Sequence, residues 1–130
     1  MPSVAANYND AMHGVPQNLD LSAFLGAELI QVAIGCHDLQ LHFFPEDRRI
    51  SVWGNWELVD SAGTIIDQAQ ESLSRDNYKI HRLLGRTVTA HKFDAPKSFT
   101  LTFDNGMNMT VYDDSDQYES FSIQPGNVFV

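Results

Sequence analysis

Residues Phe99 to Val111 read Phe-Thr-Leu-Thr-Phe-Asp-Asn-Gly-Met-Asn-Met-Thr-Val, an apolar–polar alternation broken once, by Asp104-Asn105-Gly106. A period of two on both sides of a glycine-containing turn is the pattern of a β-hairpin. The length of the turn decides the rest, because a one-residue slip moves every side chain of a strand to the opposite face. A two-residue Asn-Gly loop sets Phe103 opposite Asn108, an apolar face against a polar one. A three-residue loop, Asp104 to Gly106, pairs Phe103 with Met107, Leu101 with Met109 and Phe99 with Val111. The three-residue loop is therefore expected, with Gly106 in the left-handed region. Thr100, Thr102, Asn108 and Thr110 then turn to solvent or to polar neighbours.

The same alternation recurs upstream. Leu39, Leu41 and Phe43, then Ile50 and Val52 beyond the loop from Pro45 to Arg49, predict a second hairpin. Glu28 to Gly35 reads as a strand with Leu29, Val32 and Ile34 as core positions. Trp53 to Val59 is expected to continue that sheet, and Ser61-Ala62-Gly63 to turn the chain into Thr64 to Ile66. Further strands are expected at Thr87 to Phe93, around Tyr118 to Ile123 and at Asn127 to Val130. Two helices complete the reading. One spans Asn18 to Leu25, with Asn18 or Asp20 as N-cap and Gly26 as its stop. The other runs from about Gln68 to Leu84, with Leu73, Ile80 and Leu84 on one face, Arg75, Lys79 and Arg82 opposite, and Gly85 at its end. Residues 1–17 are small, polar and aperiodic, the composition of a flexible arm.

Laid over each other, the two halves share an ordered series of landmarks. Phe24-Leu25-Gly26 corresponds to Leu83-Leu84-Gly85, and Leu39-x-Leu41-x-Phe43 to Phe99-x-Leu101-x-Phe103. Ile50-x-Val52 corresponds to Met109-x-Val111, and Trp56-Glu57 to Tyr118-Glu119. The expectation is an internal duplication of a helix-plus-four-strand unit, over about 18–66 and 72–130. The resulting fold class is α+β, mainly antiparallel sheet with two short helices, in a single domain over 18–130. Units of this size are marginal alone, so the two should share one core.

Composition limits the function. Hydrophobic residues at 43% and charged residues at 19% fit a globular protein rather than a disordered one. No apolar run approaches the roughly 20 residues that span a bilayer, and the N-terminus lacks the basic and apolar regions of a secretory signal. The lone cysteine, Cys36, excludes an internal disulfide framework; a small buried residue in a reducing, cytoplasmic protein is the expectation. A net charge of −9 opposes binding to nucleic-acid phosphate. All eight Lys and Arg fall between Arg48 and Lys97, with six acids before them and five after. Acidic outer parts thus flank a mixed middle.

The segments Leu25-Gly26, Trp56-Glu57-Leu58, Phe103-Asp-Asn-Gly106 and Asp113-Asp114-Ser115-x-x-Tyr118-Glu119-Ser120-Phe121 together resemble a family of small bacterial proteins. The resemblance covers most of residues 21–125. It implies no catalytic role, since none is established for that family. Toxin-neutralising immunity proteins are also small, acidic and bacterial, a link of composition only.

Residue types that make functional sites also serve structural roles. Asp113, Asp114, Asp116 and Glu119 gather four carboxylates in seven residues, oxygen ligands of the kind hard cations use. Their spacing lacks the calcium-loop pattern, and a solvated turn uses the same residue types, so no metal site and no cofactor is assigned. The five histidines form no His-x-x-x-His pair. Cys36 and His37 are adjacent on a strand and point apart, and no nucleophile or phosphate-loop motif occurs, so no catalytic residue is assigned. Trp53, Trp56, Tyr112 and Tyr118 lie near the ends of the two hairpins, where exposed aromatics make binding hot spots. The expected binding surface is therefore Trp53, Trp56, Glu57, Asp113, Asp114, Asp116, Tyr118 and Glu119. The expected function is non-enzymatic, cytoplasmic protein binding through an acidic and aromatic surface, with a basic partner. An immunity- or antitoxin-like inhibitor is one form of it. The alternative is a small-ligand or divalent-metal domain, with or without catalysis, centred on Asp113 to Glu119. A homodimer through an exposed sheet edge is a third arrangement.

Overall fold

In the computed structural model, which describes residues 21–45, 48–69, 78–94, 98–113, 121–124 and the backbone of 128–129, the Phe99–Val111 alternation forms a hairpin in the expected register. Phe99 pairs with Val111 and Leu101 with Met109, and the Phe103 amide donates to the Met107 carbonyl at 2.9 Å across the three-residue turn. Gly106 has φ of 84°. Thr100 and Thr110 share a hydrogen bond of 2.7 Å on the other face, and Thr102 donates to Asn108 at 2.6 Å. The polar side of the hairpin is thus satisfied by itself.

Ten strands form among the described residues: β1 (Glu28–Ile34), β2 (Leu39–Phe44), β3 (Arg48–Val52), β4 (Trp56–Val59), β5 (Ile65–Gln68), β6 (Val88–Asp94), β7 (Ser98–Phe103), β8 (Asn108–Tyr112), β9 (Phe121–Gln124) and β10 (Val128–Phe129). They make two antiparallel sheets, in the orders β1-β2-β3-β9-β10 and β5-β4-β8-β7-β6. Period-two alternation gives each sheet one apolar face, and the two faces close on each other. Phe43 of the first sheet stacks on Phe103 of the second at 6.5 Å. Phe99 meets Phe121 edge-on at 4.9 Å, again across the interface. Leu41, Ile50, Leu58, Leu101 and Met109 fill the rest of this layer, all buried.

The α+β expectation is overturned: the described residues form two antiparallel β-sheets and, within the spans expected as helices, two 3-10 turns. Ser22–Phe24 and Ile80–Leu83 are these turns. Gln68 lies in β5, and Tyr78 and Lys79 precede the second turn without helical structure. The reason is the spacing of the buried residues. Leu21 and Phe24 are buried, as are Ile80 and Leu83, each pair three apart, the repeat of a 3-10 turn. Leu84, expected on the buried face of the longer helix, is exposed. Leu73, Arg75 and the arm at 1–17 lie outside the described residues.

The helix-plus-four-strand duplication is corrected too. The described part of neither unit holds a helix, and their strands separate: β4 and β5 leave β1–β3 for the second sheet, while β9 and β10 join the first. Trp53 to Val59 therefore does not continue the first sheet. Trp56 faces Val111 and Phe121 faces Val52, so Phe121 stands in the first sheet where Trp56 stands in the second, while Tyr118 lies outside the described residues. Ile34, expected in the core, is exposed at the end of β1. A strap of backbone hydrogen bonds joins the two sheets where β1 and β6 begin. Gly26 donates to Val88, Val88 to Ala27, Leu29 to Arg86, and Gly85 to Leu29, at 2.8–2.9 Å.

One buried carboxylate fixes the second turn. Asp67 sits opposite Leu58, on the inner face of edge strand β5, and accepts the amides of Gln68 and Lys79. Asp67→Ala strands the Lys79 amide and should destabilise the protein by about 1–3 kcal/mol in urea unfolding. Gly106→Ala should be more destabilising than Gly63→Ala. Both glycines have positive φ, but an added Cβ at Gly106 lies 3.0 Å from the Ser61 Cβ, whereas at Gly63 it meets nothing within 4 Å. Denaturation midpoints of the two variants measure the difference.

Candidate functional site

Each crossing of the chain between sheets needs a connection at the end of the sandwich, and the β3–β4 crossing shapes the site. Trp53-Gly54-Asn55 leaves β3 in one sheet and enters β4 in the other. Beside it, the β1–β2 turn is closed by the Gly35 amide donating to the Asp38 carbonyl at 2.8 Å. A Cβ at Gly35 would fall 2.1 Å from Asp38 Oδ1, so the turn has room for hydrogen alone at that position. Between the two connections opens a cleft of about 630 Å³, completed by Ala69 and Tyr78. That size lies within the range of about 300–1,000 Å³ typical of ligand sites.

The floor of the cleft is held by the core. Trp56 is 4% exposed and meets Tyr78 edge-on, ring centres 5.4 Å apart. The Trp56 carbonyl accepts the Ala69 amide, and the Asn55 carbonyl accepts the Tyr112 amide, both at 3.0 Å. Trp53, three residues earlier, is 44% exposed at the rim. The two tryptophans therefore have different roles: Trp56 is a wall of the sandwich and Trp53 is an accessible ring. Cys36 and His37 are exposed on the β1–β2 turn, which corrects the expectation of a buried Cys36. The reason is the turn itself, since a chain reversal at a sheet end puts its middle residues outside the core.

Of the remaining expected site residues, Glu57 and Asp113 are among the described residues, and neither lines the cleft. Glu57 lies on the outer face of the second sheet, where it takes a hydrogen bond from the Tyr112 side chain. Burial, then the Glu57 charge and this hydrogen bond, raise the Tyr112 hydroxyl above its usual range. Asp113 is 8% exposed, buried instead of standing in a solvated turn. Asp114, Asp116, Tyr118 and Glu119 lie outside the described residues. Among the described residues no three His, Cys, Asp or Glu side chains come together as a metal site. No helix among them is long and apolar enough to cross a membrane.

Sequence reasoning missed the Gly35–Asp38 turn and Tyr78 as parts of the site. The turn was legible as the break between two alternating runs; Tyr78 was hidden by its assignment to a helix. A polar chain also leads from the turn along the outer face of β2. Gln40 donates to Asp38 at 3.0 Å, and its carbonyl lies 3.1 Å from His42 Nε2. Comparison with known proteins finds no family model, no curated protein and no solved structure that matches the chain.

Burial, and next the Arg49 charge across the strand pair, lower the His42 pKa below 6.5. A histidine depressed on folding contributes stability above its unfolded pKa and loses it as pH falls through the folded value. The unfolding midpoint of the wild type should therefore drop as pH is lowered from neutrality through 6.5. His42→Gln, which keeps a polar group but does not titrate, should flatten this drop when midpoints are measured across that interval.

Proposed function

We propose that this protein is a non-enzymatic binding protein that holds a segment of another protein in the cleft between the β1–β2 turn and the β3–β4 crossing. The observation that carries the reading is Trp53, a large ring left accessible at the rim of a cleft whose floor is fixed by Trp56 and Tyr78. A rigid aromatic anchor loses little side-chain entropy on binding, which is why such rings dominate hot spots. Asp38 and Asn55 supply polar contacts on the two sides. The net charge of −9 favours a basic partner, which it would attract over a Debye length of about 8–10 Å. Neutralisation of a basic toxin in the cytoplasm, as an immunity or antitoxin-like protein performs, is the concrete form of this activity.

The volume of the cleft also supports a small-ligand reading. The small-ligand or metal alternative was centred on the Asp113–Glu119 segment, and Asp113 does not line this cleft. Of that segment only Asp113 lies among the described residues, and it is buried.

Pull-down from the source cell at low salt should yield a basic partner, whose affinity for the purified protein falls as salt rises. Trp53→Ala should weaken that complex by about 2 kcal/mol or more, roughly thirtyfold, with folding unchanged because the ring lies outside the core. A partner whose affinity ignores both Trp53 and salt would overturn the assignment.

A further inference from the structure

The two strands that meet at the strap are alike in geometry and unlike in chemistry. β1 and β6 are each seven residues long and stand at an edge of their sheets among the described residues. Each carries a bulge in the same place, between Leu29 and Gln31 in one and Val88 and Ala90 in the other. Edge strands offer unpaired peptide groups, and proteins blunt them with charge, proline or irregularity. β6 is blunted by Lys92 and Asp94. After Glu28, β1 reads Leu-Ile-Gln-Val-Ala-Ile, uncharged in a chain of net charge −9. Its Ile30 and Ile34 are 53% and 46% exposed.

The direction of the peptide groups follows from the turn. Gly35 is bonded to Asp38, so by the antiparallel alternation Ala33 and Gln31 address β2. Val32 and Ile34 then point their N–H and C=O groups away from β2. Toward the start of the strand the edge is already occupied, because Leu29 is bonded to Arg86 and Gly85. The open part is therefore a short segment, Gln31 to Gly35.

We infer that this segment pairs antiparallel with the same segment of a second copy of the chain, about a two-fold axis at Ala33. In that register Val32 faces Ile34 of the second copy, and Ile34 faces Val32 of the second copy. The two outward-pointing residues of each strand exchange hydrogen bonds, and the two sheets become one. The segment suits itself better than a charged partner strand. It carries no charge of its own, so no like charges oppose across the axis. Its apolar pair, Val32 and Ile34, lies on the core-facing side opposite Leu41 and Leu39 and so extends the core. The smallest of its side chains, Ala33, falls on the axis. The interface is isologous and closes as a dimer. It is short, so the dimer is weak, micromolar or weaker. Its salt dependence has the opposite sign to that of a complex with a basic partner: salt screens the repulsion between two acidic copies and tightens the dimer.

Sedimentation over a concentration series tests the inference on the full chain. A monomer–dimer equilibrium that tightens with salt is expected, unchanged by Trp53→Ala, so that it stands or falls separately from the cleft. Ile34→Lys places two charges in the interface and should raise the dissociation constant about tenfold or more. Phe93→Lys on the matching edge of β6 should leave it unchanged. Ala33→Cys, in a Cys36→Ser background, should give a disulfide-linked dimer on mild oxidation. The two residues at the axis form a non-hydrogen-bonded pair with Cα atoms about 4.5 Å apart, within disulfide range. A monomer at every concentration up to about 1 mM would overturn the inference. So would a dimer indifferent to Ile34→Lys, which would assign the contact to another surface or to residues 1–20, or a folded Ala33→Cys variant that does not cross-link.

Discussion

The strap between Gly26–Leu29 and Gly85–Val88 is the constraint on which the rest of the structure depends. Four backbone hydrogen bonds hold the beginnings of β1 and β6 together, and those strands belong to different sheets. Joined there, the sheets close with their apolar faces toward each other, as burial of apolar surface favours. The 3-10 turns complete the closure from outside: each leads into one side of the strap and buries two residues three apart. The bulges that follow immediately in both strands belong to the same device, since a bulge bends and twists an edge away from its neighbour.

Exchange of strands between sheets places the site. Because β4 leaves the sheet of β3, the connection between them must travel from one layer to the other, and Trp53-Gly54-Asn55 is that connection. Its far end is anchored by Trp56 in the core, so its near end carries Trp53 outward. The β1–β2 turn rises beside it, held by the Gly35–Asp38 bond. The cleft is the gap between two loops supported by rigid strands, the common way in which a sandwich presents a binding surface. The polar chain from Asp38 through Gln40 to His42 ties one of these loops to the sheet behind it.

Local pattern was legible wherever a strand had one wet face and one dry face. Leu101 and Met109 could be paired from sequence because any other register buries threonine, and the structure keeps that pairing. Leu39, Leu41, Ile50 and Val52 were equally readable, and all four are buried. The helices were misread because short apolar spacings fit more than one period. Leu83 and Leu84 are neighbours in sequence, and only packing in the core decides that Leu83 is the one buried. Of the expected site residues, Trp53 and Trp56 both line the cleft, but nothing local separates an exposed tryptophan from a buried one three positions on. The difference comes from Val111, which lies opposite Trp56 across a strand pair between distant parts of the chain.

Alternation and turn chemistry in the sequence determined the Phe99–Val111 hairpin with its register and the apolar positions Leu39, Leu41, Ile50 and Val52, because those depend on neighbours within a few residues. Tertiary structure decided the rest: which sheet β4 and β9 join, that Ser22–Phe24 and Ile80–Leu83 are 3-10 turns, and that Trp53 is accessible while Asp113 is buried. Burial is set by what packs against a residue from elsewhere in the chain, and no period in the sequence carries that information. The hairpin from Phe99 to Val111 could be read alone; the cleft exists only once two sheets have exchanged strands.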